Sequence, residues 1–187
     1  ILINKKEAVE YYKKSADKGN ANAMNILANM LMNGDEIPMN KIKASEYYKM
    51  SADKGNGDAM NSYANMLMNG DVISVDKVMA AQYYRMAINK GNSNAMCSYA
   101  NMLINGDGIP VDSDESVRFY KMAIDKGNDV AMNKYANLLY KGYRIPENKK
   151  EAADYYKMAI DKGNIHAMAN YANMLYNGDD IPIDKIK

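Results

Sequence analysis

A segment of 36 residues recurs five times without insertion or deletion, and no other feature of the chain restricts its fold as strongly. The copies run over 4–39, 40–75, 76–111, 112–147 and 148–183, inside a chain of 187 residues. Perfect phase means that each copy is one structural unit meeting its neighbours in one way. A chain of this kind is expected to be a stack in which stability is nearly additive in units and in the interfaces between them. Ile1-Leu2-Ile3 and Asp184-Lys185-Ile186-Lys187 match the end and the start of a unit, so residues 1–3 and 184–187 read as remnants of truncated neighbours. Residues 1–187 are therefore expected to form a single array with apolar end faces capable of end-to-end self-association.

The first half of the fifth copy, NKKEAADYYKMAIDKG, places Ala152, Tyr155, Tyr156, Ala159 and Ile160 at i, i+3, i+4, i+7 and i+8, with Lys150, Asp154, Lys157 and Asp161 opposite. This is the stripe of an amphipathic helix. Asn or Asp stands at its cap, and in three copies Glu follows three residues later, at Asn4/Glu7, Asp112/Glu115 and Asn148/Glu151, the spacing of a capping box. Lys-Gly-Asn follows the helix in every copy, with glycine where a left-handed residue closes a helix. The second half predicts another helix, with Ala167, Met168, Tyr171, Ala172 and Leu175 on its apolar face and Gly178 as its stop. An Ile-Pro loop completes the unit. The fold class is thus all-α, an α-α superhelix of five hairpins and about ten helices.

The composition narrows the function. At 48% hydrophobic and 25% charged the chain can bury a core, and no apolar run reaches the 18 residues that a membrane helix needs. Lysine and arginine total 24 against 23 acids, with no basic stripe to meet phosphates, so neither nucleic acid nor membrane insertion is expected. Cys97 is the only cysteine, which leaves no intrachain disulfide and no cysteine-based zinc site. It is compatible with a reducing compartment, but localisation stays open.

The pattern A-x-x-YY-x-x-A-x-x-x-G followed by A-M-x-x-Y-A-x-x-L-x-x-G-x-x-I-P, running from Asn4 to Ile183, resembles the Sel1-like repeat, a relative of the tetratricopeptide repeat. The resemblance implies antiparallel helix pairs stacked into a right-handed superhelix, and a role in adaptor or scaffold complexes. Ala28, Ala64, Ala100, Ala136 and Ala172 stand where the family usually has glycine, and Ser74 replaces the loop proline. Some cysteine-rich relatives are linked to β-lactam binding or hydrolysis, and that is the alternative reading, although the chain lacks their paired cysteines.

Asparagine recurs in the middle of each second helix, at Asn29, Asn65, Asn101, Asn137 and Asn173, where its amide suits a helix poorly. A helical wheel turns these positions toward solvent. By resemblance to tetratricopeptide repeats they would line the concave face, with Asn25, Asn61, Cys97, Asn133 and Ala169 one turn earlier and Met32, Met68, Ile104, Tyr140 and Tyr176 beside them. A row of amides could hold the backbone of an extended peptide or protein segment. Asparagine is 24 of 187 residues and threonine is absent, so a solvated face of biased composition is the favoured reading of the row, and the peptide-holding ladder the sharper one. A purely structural spacer is then a third possibility.

The remaining candidates are weaker. The tyrosine pairs, such as Tyr83-Tyr84, read as core before they read as stacking platforms for bases. Cys97 and His166 lie at different repeat positions, with no third group to orient a catalytic pair. Asp107, Asp112, Asp114 and Glu115 do not follow the spacing of a calcium loop. In the fourth copy Lys141-Gly142-Tyr143-Arg144 replaces Asn-Gly-Asp, which makes Tyr143 and Arg144 a loop candidate for partner contact. The chain is expected to use neither a cofactor nor a metal and to carry no enzyme site.

Overall fold

The computed structural model describes residues 4–70 and 72–178. Among them lie ten helices and no strand: α1 (Lys5–Asp17), α2 (Ala21–Asn33), α3 (Lys41–Asp53), α4 (Gly57–Asn69), α5 (Lys77–Asn89), α6 (Ser93–Asn105), α7 (Ser113–Asp125), α8 (Asp129–Lys141), α9 (Lys149–Asp161) and α10 (Ile165–Tyr176). Odd-numbered helices are the first of each hairpin and even-numbered ones the second. The flanking Ile1–Ile3 and Asp184–Lys187 lie outside the described residues.

The three-residue turn between hairpin partners is built by Lys-Gly-Asn. At Lys54-Gly55-Asn56 the Gly55 N–H bonds to Ala52 O at 2.8 Å and the Asn56 N–H to Ser51 O at 3.2 Å, with Gly55 at φ +91°. These are the two bonds of a Schellman closure, which needs a left-handed residue between them. Asn56 then acts again as the cap of α4, its Oδ1 accepting from the Ala59 N–H at 2.8 Å. Asn20, Asn92, Asn128 and Asn164 cap the other second helices in the same way. Each cap is worth about 1 kcal/mol.

At the first helices the capping box is altered. Asn4 and Asn148 accept from the N–H of Glu7 and Glu151, but those glutamates bond the asparagine side-chain amide, at 2.7 and 2.9 Å, rather than the cap's backbone N–H. The cap N–H is already taken where the structure shows it: Asn40, Asp76, Asp112 and Asn148 donate to the carbonyls of Leu31, Leu67, Leu103 and Leu139 in the preceding helix. Asp112 has no side-chain donor to offer, and Glu115 pairs instead with Arg118 at 2.9 Å.

The chain divides into two compact units, one running through Ala95 and taking in Asp107–Ile109, the other comprising Met96–Gly106 and Pro110 onward. In the first, α2 packs on α1 and α3, and α4 on α3 and α5. In the second, α8 packs on α7 and α9, and α10 on α9 and α8. Within the units, α2, α3, α4, α8 and α9 each pack on the helix before and the helix after. The core is built of small and large residues together. Ala28, Ala44, Ala64 and Ala80 are wholly removed from solvent among Met24, Leu27, Met60, Leu67 and Tyr84 in the first unit. Ala136, Ala152 and Ala159 are covered likewise among Met132, Leu139 and Tyr156 in the second. Alanines allow close helix approach and the long side chains fill the space left. Val9, Ser45, Ala81 and Ala153, one position beyond the expected stripe, are buried too. Buried Ser51 and Ser116 avoid a penalty by donating to the backbone carbonyls of Ala21 and Ala100, both at 2.7 Å.

Candidate functional site

The two adjacent aromatic residues of the first helices do different work. The leading ring stands edge-on to the tyrosine of the preceding second helix: Tyr83 on Tyr63 at 4.9 Å, Phe119 on Tyr99 at 5.2 Å and Tyr155 on Tyr135 at 5.0 Å between centroids. The following tyrosine is buried deeper, and its hydroxyl reaches the mid-helix asparagine of the preceding copy. Tyr48 donates to Asn29 Oδ1 at 2.6 Å and Tyr156 to Asn137 Oδ1 at 2.6 Å, and Tyr84 makes the same bond to Asn65. Between the third and fourth copies Asn101 and Tyr120 do not share this bond; Tyr120 stacks on Tyr135 at 6.2 Å, and burial pushes its phenol well above the ordinary tyrosine range.

This accounts for asparagine inside a helix. Relative to alanine it costs up to about 0.7 kcal/mol of helix propensity, whereas a part-buried tyrosine hydroxyl bonded to it contributes about 0.5–1.5 kcal/mol and avoids a stranded polar group. The bond also fixes the amide. With Oδ1 turned inward to the tyrosine, the Nδ2 hydrogens are what Asn29 and Asn65 hold out to solvent. Both side chains are exposed, as is Asn173, while Asn101 and Asn137 are half-buried.

The positions one turn earlier are less open than a wheel suggests. Asn133 is buried and its Oδ1 accepts from Asn170 at 2.9 Å, because α10 lies directly across α8. Asn25 and Asn61 are half-buried, with amide oxygens sealed from solvent and unbonded. The residue of the first unit that corresponds to Asn170 is Ser62, whose short side chain makes no bond to Asn25. Cys97 and Ile104 are buried and form no surface. Met32, Met68 and Tyr140 are half-buried and Tyr176 is exposed. In the first unit Met32, Lys41, Tyr48, Ser62, Asn65 and Asn69 line a cleft of about 210 Å³ that joins α2, α3 and α4.

A second inter-copy link escaped the sequence reading. Each Lys-Gly-Asn asparagine has an amide left over after capping, and Asn56 donates to Asn22, Asn92 to Asp58 and Asn164 to Asp129, at 2.7–2.8 Å. One asparagine thus closes a turn, caps a helix and ties it to the previous copy. The signal was the invariant Asn after Gly together with a polar residue 34 or 35 positions earlier.

The chemical candidates are placed apart from these links. Burial pushes the Cys97 thiol up to about 11, with Lys134 opposing weakly, so it is a protonated core residue, while His166 is exposed. Asp107 pairs with Lys77 at 2.7 Å and Asp112 caps α7. Among the described residues no group of three or more His, Cys, Asp or Glu is placed to hold a metal ion, and no helix is long and apolar enough to cross a membrane. Tyr143 and Arg144 lie on one another, the guanidinium 5.5 Å from the ring and Nε 3.2 Å from the hydroxyl, both exposed.

Hairpins of equal length, closed by one turn and tied to their neighbours by one set of bonds, define an α-solenoid repeat protein. The family model for the Sel1 repeat matches residues 1–20, 21–56, 57–92, 93–128, 129–164 and 165–187, and the chain belongs to that family. Its frame opens at the second helix of a hairpin, so it differs from the copies above only in where the same period is cut. A Sel1 repeat protein from Oxalobacter formigenes superposes with a TM-score of 0.89 at 26% identity, over 94% of this chain and 70% of that one. The uropathogenic Escherichia coli protein c5321, a protective antigen with an SLR fold, gives 0.79 at 25% identity over 91% of this chain and 37% of that one. Helicobacter pylori cysteine rich protein B, at 0.53 and 21% identity over 67% of this chain and 90% of that one, shares the fold. Among curated proteins nothing matches. Sel1 repeats are commonly protein-interaction scaffolds.

Proposed function

We propose that this chain is a non-catalytic scaffold that holds an extended peptide or protein segment on the faces of its second helices. The observation that carries this reading is the orientation of the asparagines. Tyr48 and Tyr84 hold the oxygens of Asn29 and Asn65 inward, so that prealigned N–H donors point outward beside the cleft at Met32 and Asn69. Fixed donors suit the carbonyls of an extended backbone, and pre-organisation reduces the entropy lost on binding. Met32 and Met68 add contacts that adapt to varied side chains. Asn137, its oxygen held by Tyr156, offers the same chemistry in the second unit, Asn173 adds an exposed amide, and Tyr143 with Arg144 supplies an aromatic and cationic edge.

The test separates binding from stacking. A peptide selected from an unbiased library against the whole chain is labelled, and its affinity is measured by fluorescence anisotropy for the wild type and for Asn29→Asp with Asn65→Asp. Aspartate keeps the oxygen that accepts from tyrosine but removes the N–H donors. Affinity is expected to fall about tenfold or more at an unchanged melting temperature. Unchanged affinity would overturn the peptide-holding role of the row.

A further inference from the structure

In the second unit, α7, α8, α9 and the loop before α9 line a cavity of about 400 Å³ that is apolar inside and acidic at its mouth. Leu139 is buried at its base with Val117 and Ile145 half-buried above, while Asp114 and Glu147 are exposed and Glu151 half-buried. No basic residue lines it. Lys149 reaches Glu147 only at 3.7 Å, so the mouth keeps an excess of negative charge. The repeat does not demand this acidity: in the first unit the same three positions are Ile42, Val75 and Met79, all exposed. Helix dipoles favour acids in first turns, which accounts for Asp114 and Glu151. They do not account for the apolar hollow between them. Tyr135 adds an independent sign of a missing partner. It is 4% exposed and lines the cavity, yet its hydroxyl has no hydrogen bond among the described residues. Burial first and the Glu151 carboxylate next push its phenol up to about 12, which sets the hydroxyl close to that carboxylate. A polar group so deeply covered is normally bonded.

We propose that this cavity receives an arginine side chain of a partner protein, its methylenes against Val117, Leu139 and Ile145 and its guanidinium on the carboxylates and the Tyr135 hydroxyl. Charge complementarity specifies the occupant. An apolar hollow alone would take any aliphatic group, but the acidic mouth rejects anions and selects a cation with an apolar stem. Among such cations the guanidinium fits best, because its five N–H donors can serve several acceptors at once and it gives up water more readily than an ammonium. The volume lies at the lower end of the range of specific ligand sites, about 300–1,000 Å³, and leaves room for an apolar residue beside the arginine. The site shares no residue with the asparagine row, so it stands independently of the peptide reading above.

The test titrates the whole chain with the tripeptide acetyl-Leu-Arg-Leu-amide by isothermal calorimetry, against the citrulline tripeptide as a neutral control of the same shape. The arginine peptide is expected to bind saturably and the citrulline peptide about tenfold more weakly. Asp114→Asn with Glu147→Gln removes two exposed charges, and should weaken the arginine peptide by about tenfold with unchanged circular dichroism. Tyr135→Phe removes only the hydroxyl. It should weaken the peptide several-fold at an unchanged melting temperature, since no bond of the free protein is lost, whereas a hydroxyl that serves the fold alone would leave affinity untouched. Equal binding of the arginine and citrulline peptides would overturn the proposal. So would the absence of saturable binding up to about 10 mM peptide, or an affinity that neither the double variant nor Tyr135→Phe changes.

Discussion

Helices α4 and α10 carry almost the same sequence, SYANMLMNG and NYANMLYNG, and differ chiefly in what lies against them. In α4 the apolar side is closed by α5, Leu67 is 4% exposed and Asn65 accepts a bond from Tyr84. In α10 the same leucine position is 51% exposed, and among the described residues no tyrosine donates to Asn173. The amphipathic pattern is a property of the segment, but burial is a property of its neighbour. A hairpin of this kind contributes little alone, and most of its stability arises where the next one is laid on it.

The largest effect that could break this comparison is a paired truncation. Leu67→Ala should destabilise the chain by about 2–5 kcal/mol, because a cavity is left in a packed joint, whereas Leu175→Ala at low concentration should cost well under about 1 kcal/mol. Urea unfolding of both variants checks this, and equal losses would mean that α10 is covered in solution by something else. Alkali should attack the covered joints next. Burial pushes Tyr135 and Tyr156 up to about 12 and Cys97 up to about 11. These groups are neutral in the fold, and the unfolded chain releases their protons first, from ordinary values of 10.0 and 9.0. Their stabilising contribution is complete below about pH 9 and is lost as pH rises through about 9–12. The melting temperature should be flat from pH 7 to about 8.5 and then fall, by an amount reduced in Tyr156→Phe.

The smallest effect belongs to the loops that join the stacked faces. Arg144 sits at φ +60°, where the corresponding third-copy residue is Gly108 at φ +74°. Arginine there holds a left-handed conformation that glycine adopts freely. Arg144→Gly should raise stability by about 0.5–1 kcal/mol in thermal unfolding. No change would mean that the contact of Arg144 with the Tyr143 ring compensates the strain.

Much of this was legible because the information is local and repeated. The Asn-Gly helix ends, the Lys-Gly-Asn turns and the 13-residue helices follow from residues within one turn of each other, and five copies in phase make the stripe of α9 readable from any of them. What a single-helix wheel cannot contain is the partner. It turned Asn65 correctly toward solvent, yet the tyrosine that holds its oxygen lies 19 residues on, in another helix. It gave Asn133 the same openness, and α10 closes it. Of the tyrosine pairs read as core, Tyr48, Tyr84 and Tyr156 are buried while Tyr47, Tyr83 and Tyr155 are half-buried, and the use of the second hydroxyl went unseen because it depends on another copy. A regular Asn followed 19 residues later by Tyr, at 29/48, 65/84, 101/120 and 137/156, was the available trace.

The joint between copies can be measured directly by a double-mutant cycle on Asn65→Ala and Tyr84→Phe, read by urea unfolding. The bond between them predicts a coupling of about 1 kcal/mol, with the second substitution costing little once the first is made. Additive losses at Asn65 and Tyr84 would contradict the claim that these asparagines tie each copy to the next.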